Sequence, residues 1–95
     1  MNLYTIFRRA GWRSTEQLQG AVARSLEEAG RRGDRLRWVR SYVLDEPGGG
    51  LGMVCFYEAV SADALRDHAV AAGLPCDEVV EVSAALVGRA EQVPA

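Results

Sequence analysis

The chain has 95 residues, a formal net charge of -2, 48% hydrophobic residues and 25% charged ones. That is the make-up of one ordinary soluble domain. There is no basic surplus to neutralise a phosphate backbone, which argues against a nucleic-acid partner. No apolar run approaches the roughly 20 residues that span a bilayer, so no membrane partner is expected. The opening MNLYTIFRRAGW does not read as a secretory leader, because its apolar run is short and its charges follow that run. A cytoplasmic location is expected, with Cys55 and Cys76 as two reduced thiols that share no ligand-type spacing.

LYTIF, residues 3–7, is β-branched and aromatic and predicts a strand, which RRAGW is expected to break. Ser14 with Gln17 three residues later has the form of a capping box. Leu18, Ala21, Val22, Ser25, Leu26 and Ala29 then follow at helical spacing, and Gly30 is the expected stop. The arginines near 31–40 read as a solvated face. LRWVRSYVL, 36–44, has period two, with Trp38, Arg40 and Tyr42 on one side and Val39, Ser41 and Val43 on the other. DEPGGGLG predicts a turn, and its GGG precedes no helix that could cradle a phosphate. MVCFYEA, 53–59, is the next strand and completes a hairpin.

Ser61 is a second N-cap, Asp63 suits the first helical turn, and Leu65, His68, Ala69 and Ala72 form an inward stripe. Gly73 and Pro75 end that helix. EVVEVSAALV, 78–87, predicts the last strand, and 88–95 a polar, frayed tail beyond a domain of residues 1–87. The order β-α-β-β-α-β is α+β, the ferredoxin-like arrangement: a four-stranded antiparallel sheet. Right-handed crossovers put both helices on one face and leave the other bare.

The Val39/Val43, Val54/Phe56 and Val80/Val82 sets, being the most apolar, are expected under the helices. The bare face would then carry Trp38, Arg40, Tyr42, Met53, Cys55, Tyr57, Glu81 and Ser83. So much aromatic surface points to a homodimer, to a ligand site, or to both at one interface. Trp38, Arg40, Tyr42, Cys55 and Tyr57 are accordingly the candidate ligand-binding residues.

His68, the one histidine of the chain, lies on an inward stripe and needs a partner there. Ser25 occupies the matching polar place on the first helix, and Glu58 is the carboxylate expected on the helix side of its strand. A histidine with a carboxylate partner is an acid–base pair near neutral pH. The plainer alternative is a structural histidine with a satisfied hydrogen bond. One histidine, separated carboxylates and separated cysteines make no metal cluster, so no cofactor is favoured.

RWVRSYV (37–43), CFYEA (55–59), ALRDHAVAAGLP (64–75) and DEVVEV (77–82), taken together, resemble a family of small bacterial proteins catalogued as domain of unknown function 4242. Some of its members are described as nickel-binding. The resemblance implies a ferredoxin-like fold and a dimer, and it puts His68 and Glu81 at the family's recurrent His and Glu positions. Nickel is thus the implied metal, with His68 its ligand. The further histidines of nickel-binding members, near strand one and on helix one, have no counterpart in IFRRAGW or QLQGAVARSLEEAG. The leading expectation is a homodimer that binds a small organic molecule. It would act as an accessory isomerase or cyclase, with His68 as acid–base group and Glu58 or Glu81 as its partner. A nickel-binding protein is the alternative, and an interaction module without chemistry a third. Ligand, reaction and pathway are not written in the sequence.

Overall fold

In the computed structural model, which describes residues 1–92, the elements follow the expected order. They are β1 (Asn2–Trp12), α1 (Thr15–Arg31), β2 (Leu36–Asp45), β3 (Leu51–Ala59), α2 (Ala62–Ala72) and β4 (Glu78–Glu81). The strands lie in the order β2-β3-β1-β4, all neighbours antiparallel. The fold is the ferredoxin-like α+β arrangement, with both helices on one face of the sheet.

The caps act as their chemistry requires. Ser14 Oγ accepts from the Gln17 N–H at 3.2 Å, and Ser61 Oγ from the Ala64 N–H at 3.1 Å. Helix α1 passes Gly30 and ends one residue later, at Arg31. Gly73 closes α2 at φ 67°, a left-handed cap that glycine adopts without strain.

Two strands depart from expectation. β1 does not stop at Phe7 but runs to Trp12 through an irregularity between Arg8 and Trp12, with Ala10 at φ 45°. Arg8 and Trp12 stay on the helix side because the extra residues are taken up in the bulge. β4 ends at Glu81 rather than Val87. Its partner runs out: Tyr4 pairs with Glu81, the Val82 N–H bonds to the Leu3 carbonyl at 2.8 Å, and β1 begins at Asn2. The following segment crosses the bare face, where Val82 and residues 84–87 lie beside Leu3, Arg40, Tyr42 and Phe56. Glu91 reaches β2 at the far edge. The tail expected at 88–95 falls partly on residues 93–95, outside those described.

The expected assignment of faces is reversed. Tyr4, Ile6, Met53, Cys55, Tyr57 and Ala59 are buried, with Leu18 and Ala21 of α1 and Leu65 of α2 in the same core. Val54, Phe56 and Glu58 point the other way and Val80 is exposed there, while Val43, opposite Met53, keeps the expected helix side but is exposed at the edge strand. The reason is polar. Both inward helix stripes carry a group that needs a partner, Ser25 and His68; the Val/Phe side of β3 could offer only the Glu58 carboxylate, a charge that would lose its water under the helices. The side carrying Tyr57 offers a neutral hydroxyl. The buried helix residues are mostly small (Ala21, Ala64, Ala69, Ala72), so long sheet side chains fill the space between the layers.

Strand β2 contributes to both faces. Trp38 pairs with Tyr57 and Arg40 with Phe56, so Val39 is an extra residue that shifts the alternation. Trp38 therefore lies on the helix side, while Arg40 and Tyr42 lie on the bare side as expected.

Candidate functional site

His68 is fully buried on α2. Its Nε2 lies 3.1 Å from Ser25 Oγ on α1, and Ser25 Oγ lies 3.1 Å from the Tyr57 hydroxyl on β3. The Tyr57 and His68 rings are 5.8 Å apart, tilted by 55°. Three elements thus meet in one chain of hydrogen bonds: phenol, hydroxyl, imidazole. Burial is the largest influence on His68 and lowers its pKa below the ordinary value. The charges of Arg8 and Arg32 act in the same direction, and Glu28 opposes them. Burial pushes the Tyr57 phenol up, against the Ser25 hydrogen bond and against Arg8, which acts on it through its charge and, more weakly, as a hydrogen-bonding neighbour. At neutral pH the imidazole and the phenol are therefore both uncharged.

Tyr57 and Ser25 also form the inner wall of a narrow, partly open cleft between α1 and the sheet. Trp12 and Met53 line its sides, and the half-exposed Leu26 and Trp38 stand at its rim. Trp38 is held by a bond from its indole N–H to Ser41 Oγ at 2.9 Å. Arg8 reaches the cleft from β1. Its Nη1 donates to the Pro75 carbonyl at 2.7 Å, and Pro75 is seated against Gly11, where a Cβ would come within 2.7 Å of the proline ring.

The expected ligand-binding residues are divided by the sheet. Trp38, Cys55 and Tyr57 line the cleft, whereas Arg40 and Tyr42 face the opposite side. There Arg40 Nη1 donates to the Tyr42 hydroxyl at 3.1 Å and pairs with Glu91 at 3.4 Å, and Tyr42 donates to Glu91. The Tyr42 hydrogen bond holds the Glu91 carboxyl below its ordinary range. Cys55, expected across the sheet from His68, is buried on the same side.

The expected carboxylate partners of His68 are not in place. Glu58 sits on the bare face, paired in register with Leu3 and Arg37. Glu81 is exposed at the end of β4 and accepts from Asn2 Nδ2 at 2.6 Å. Ser25 takes that place instead.

Arg8 and Trp12 are cleft residues for which sequence reasoning assigned no site role. A signal did exist for Arg8: Tyr4, Ile6 and Arg8 keep period two, so the strand continues if RRAGW is allowed a bulge. Among the described residues, no three His, Cys, Asp or Glu side chains converge as metal ligands. No described helix is long and apolar enough to cross a membrane.

No curated protein matches the chain. Among solved structures, the crystal structure of SCO4226 from Streptomyces coelicolor A3(2) is similar, with a TM-score of 0.67 and 21% identity over 88% of this chain and 99% of that one. At that identity the likeness establishes the fold. Residues 4–82, most of the chain and all six elements at least in part, match the family described as nickel responsive protein SCO4226-like, and the chain belongs to that family.

Proposed function

We propose that this protein binds a small organic molecule in the cleft beneath α1. The observation that carries this reading is the junction of an apolar, tryptophan-flanked cleft with the Tyr57–Ser25–His68 chain. Apolar walls with a few convergent polar groups are the usual form of a small-molecule site. Acid–base chemistry on such a ligand, of the isomerase or cyclase kind, would draw on His68 through the Ser25 hydroxyl. Both tryptophans of the chain line the cleft, so their indole N–H signals in a nitrogen–proton NMR spectrum report its occupancy. A fragment screen that includes neutral aryl amides should move both signals together. Hits that leave both indoles unmoved and shift the Arg40–Tyr42 side would remove the cleft as the site.

The reading includes a homodimer formed through the bare face, where Leu3 and Phe56 lie beside the crossing segment and Val80 is exposed. Light scattering at micromolar concentration should give twice the monomer mass, and a clean monomer mass sinks this part.

Membership of a nickel responsive family supports a second reading, nickel binding with His68 as ligand. The residues of one chain do not fit it. His68 Nε2 is taken by Ser25, no three ligand-type side chains converge among the described residues, and the nearby arginines already disfavour positive charge on the imidazole. A nickel site would need ligands from a second copy. Calorimetric titration with nickel should show no stoichiometric site at micromolar affinity. A tight signal lost in His68→Ala would put this reading first.

A further inference from the structure

Arg8 is 1% exposed. A guanidinium is a fixed positive charge with five donors and no acceptor, so burying one requires anionic or carbonyl partners. Here one partner is present, the Pro75 carbonyl on Nη1. Among the described residues no carboxylate pairs with Arg8, and Nη2 is buried without a hydrogen-bond partner. The other charged groups of the protein behave differently. Arg9, Arg31, Arg32, Arg40 and Arg66 each have a carboxylate within 4 Å while lying nearer the surface. The remaining arginines, Arg13, Arg24, Arg35, Arg37 and Arg89, also lack a carboxylate but are exposed to water, so Arg8 is the one buried arginine left without a counter-charge, and it borders the cleft.

We propose that the cleft takes a small organic carboxylate, held at its anionic end by Arg8 Nη2 and flanked along its apolar body by Trp12 and Trp38. Ser25 and Tyr57 leave hydroxyls on the same wall for the second carboxylate oxygen. A carboxylate satisfies both needs of the buried guanidinium, charge and acceptor, and charge-assisted bonds of this kind are the stronger ones. The apolar lining selects an aryl or branched aliphatic acid over a sugar acid or inorganic phosphate. A cationic ligand would meet the Arg8 charge in a poorly hydrated site and is rejected. The same positive charge lowers the His68 pKa and keeps that imidazole neutral beside the bound anion.

This inference rests on the small-molecule reading above, and the test separates the two. Phenylacetate, benzoate and isovalerate are titrated into the full chain beside phenylacetamide, benzamide and isovaleramide, with the two indole signals as readout. At least one acid should bind about tenfold or more tightly than its amide, the loss expected when a charge-assisted bond is removed. In Arg8→Met the acid should fall to the affinity of the amide, while the amide is unchanged. In Arg8→Lys, which keeps the charge, part of the preference should remain. Amides binding as well as acids would overturn the carboxylate assignment and leave the small-molecule reading standing. Neither series moving the indoles overturns both. Should Arg8→Met fail to fold, the acid-to-amide ratio of the wild type and of Arg8→Lys decides.

Discussion

The two faces of the sheet each hold an arginine beside a tyrosine, and the two pairs live under opposite conditions. Arg40 and Tyr42 are joined by Glu91 on a solvated surface, where water screens the charges and the ion pair contributes little. Arg8 and Tyr57 lie under the helices, where the guanidinium has a carbonyl and no carboxylate and the phenol is tied to Ser25. Identical side-chain chemistry is thus satisfied and inert on one face, and incomplete and poised on the other. Burial is what separates them, because an unmet charge matters only where water cannot meet it.

The largest break in this comparison should come from the apolar support of the covered face. Ile6 is fully buried, and Ile6→Ala should cost about 2–5 kcal/mol in denaturant unfolding. Val80→Ala, on the exposed edge strand β4 and on the bare side opposite Thr5, should stay within about 0.5 kcal/mol. Equal costs would mean that the bare side is buried in solution, as a dimer through that face would require.

His68→Gln comes next, at about 1–3 kcal/mol, because it disturbs a buried hydrogen-bond chain. Its signature is the pH dependence. The unfolded histidine takes up a proton near pH 6.5, and the buried one only at lower pH. Below about 6.5 the unfolded state binds more protons, so stability is complete above that pH and declines below it until the folded pKa is passed. Melts between pH 8 and 5 should show this acid-side decline in the wild type and a flatter one in His68→Gln. A parallel decline in both would assign the effect to other groups.

A smaller effect is expected for Tyr57→Phe, about 0.5–1.5 kcal/mol, from the loss of the hydroxyl that meets Ser25. The same change should raise the His68 pKa little, since burial and not Tyr57 is its main cause; histidine NMR titration checks this. Least of all, Glu91→Gln should leave the melting temperature unmoved at physiological salt, as expected of an exposed pair. A clear drop would show that the segment crossing the bare face is part of the folding unit.

The order of elements, both N-caps, the Gly73 stop and the inward position of His68 were legible in the sequence, because each depends on neighbours within a turn or two of chain. Even the pairing of Ser25 with His68 was foreshadowed by their matching places on two helix stripes. The choice of face was not legible. A strand of period two has the same pattern whichever side is covered, so MVCFYEA alone does not say whether Val54 and Phe56 or Cys55 and Tyr57 go inward. The choice is made by the helices that arrive on top, which brought a serine and a histidine in need of hydrogen bonds. One extra residue at Val39 then moved Trp38 away from Arg40, and a bulge at residues 9–11 carried Arg8 and Trp12 into the same layer. Local periodicity determined that this chain makes strands and helices in the ferredoxin-like order. Only tertiary packing decided which side chains meet, because faces and bulges acquire their meaning from partners distant in sequence.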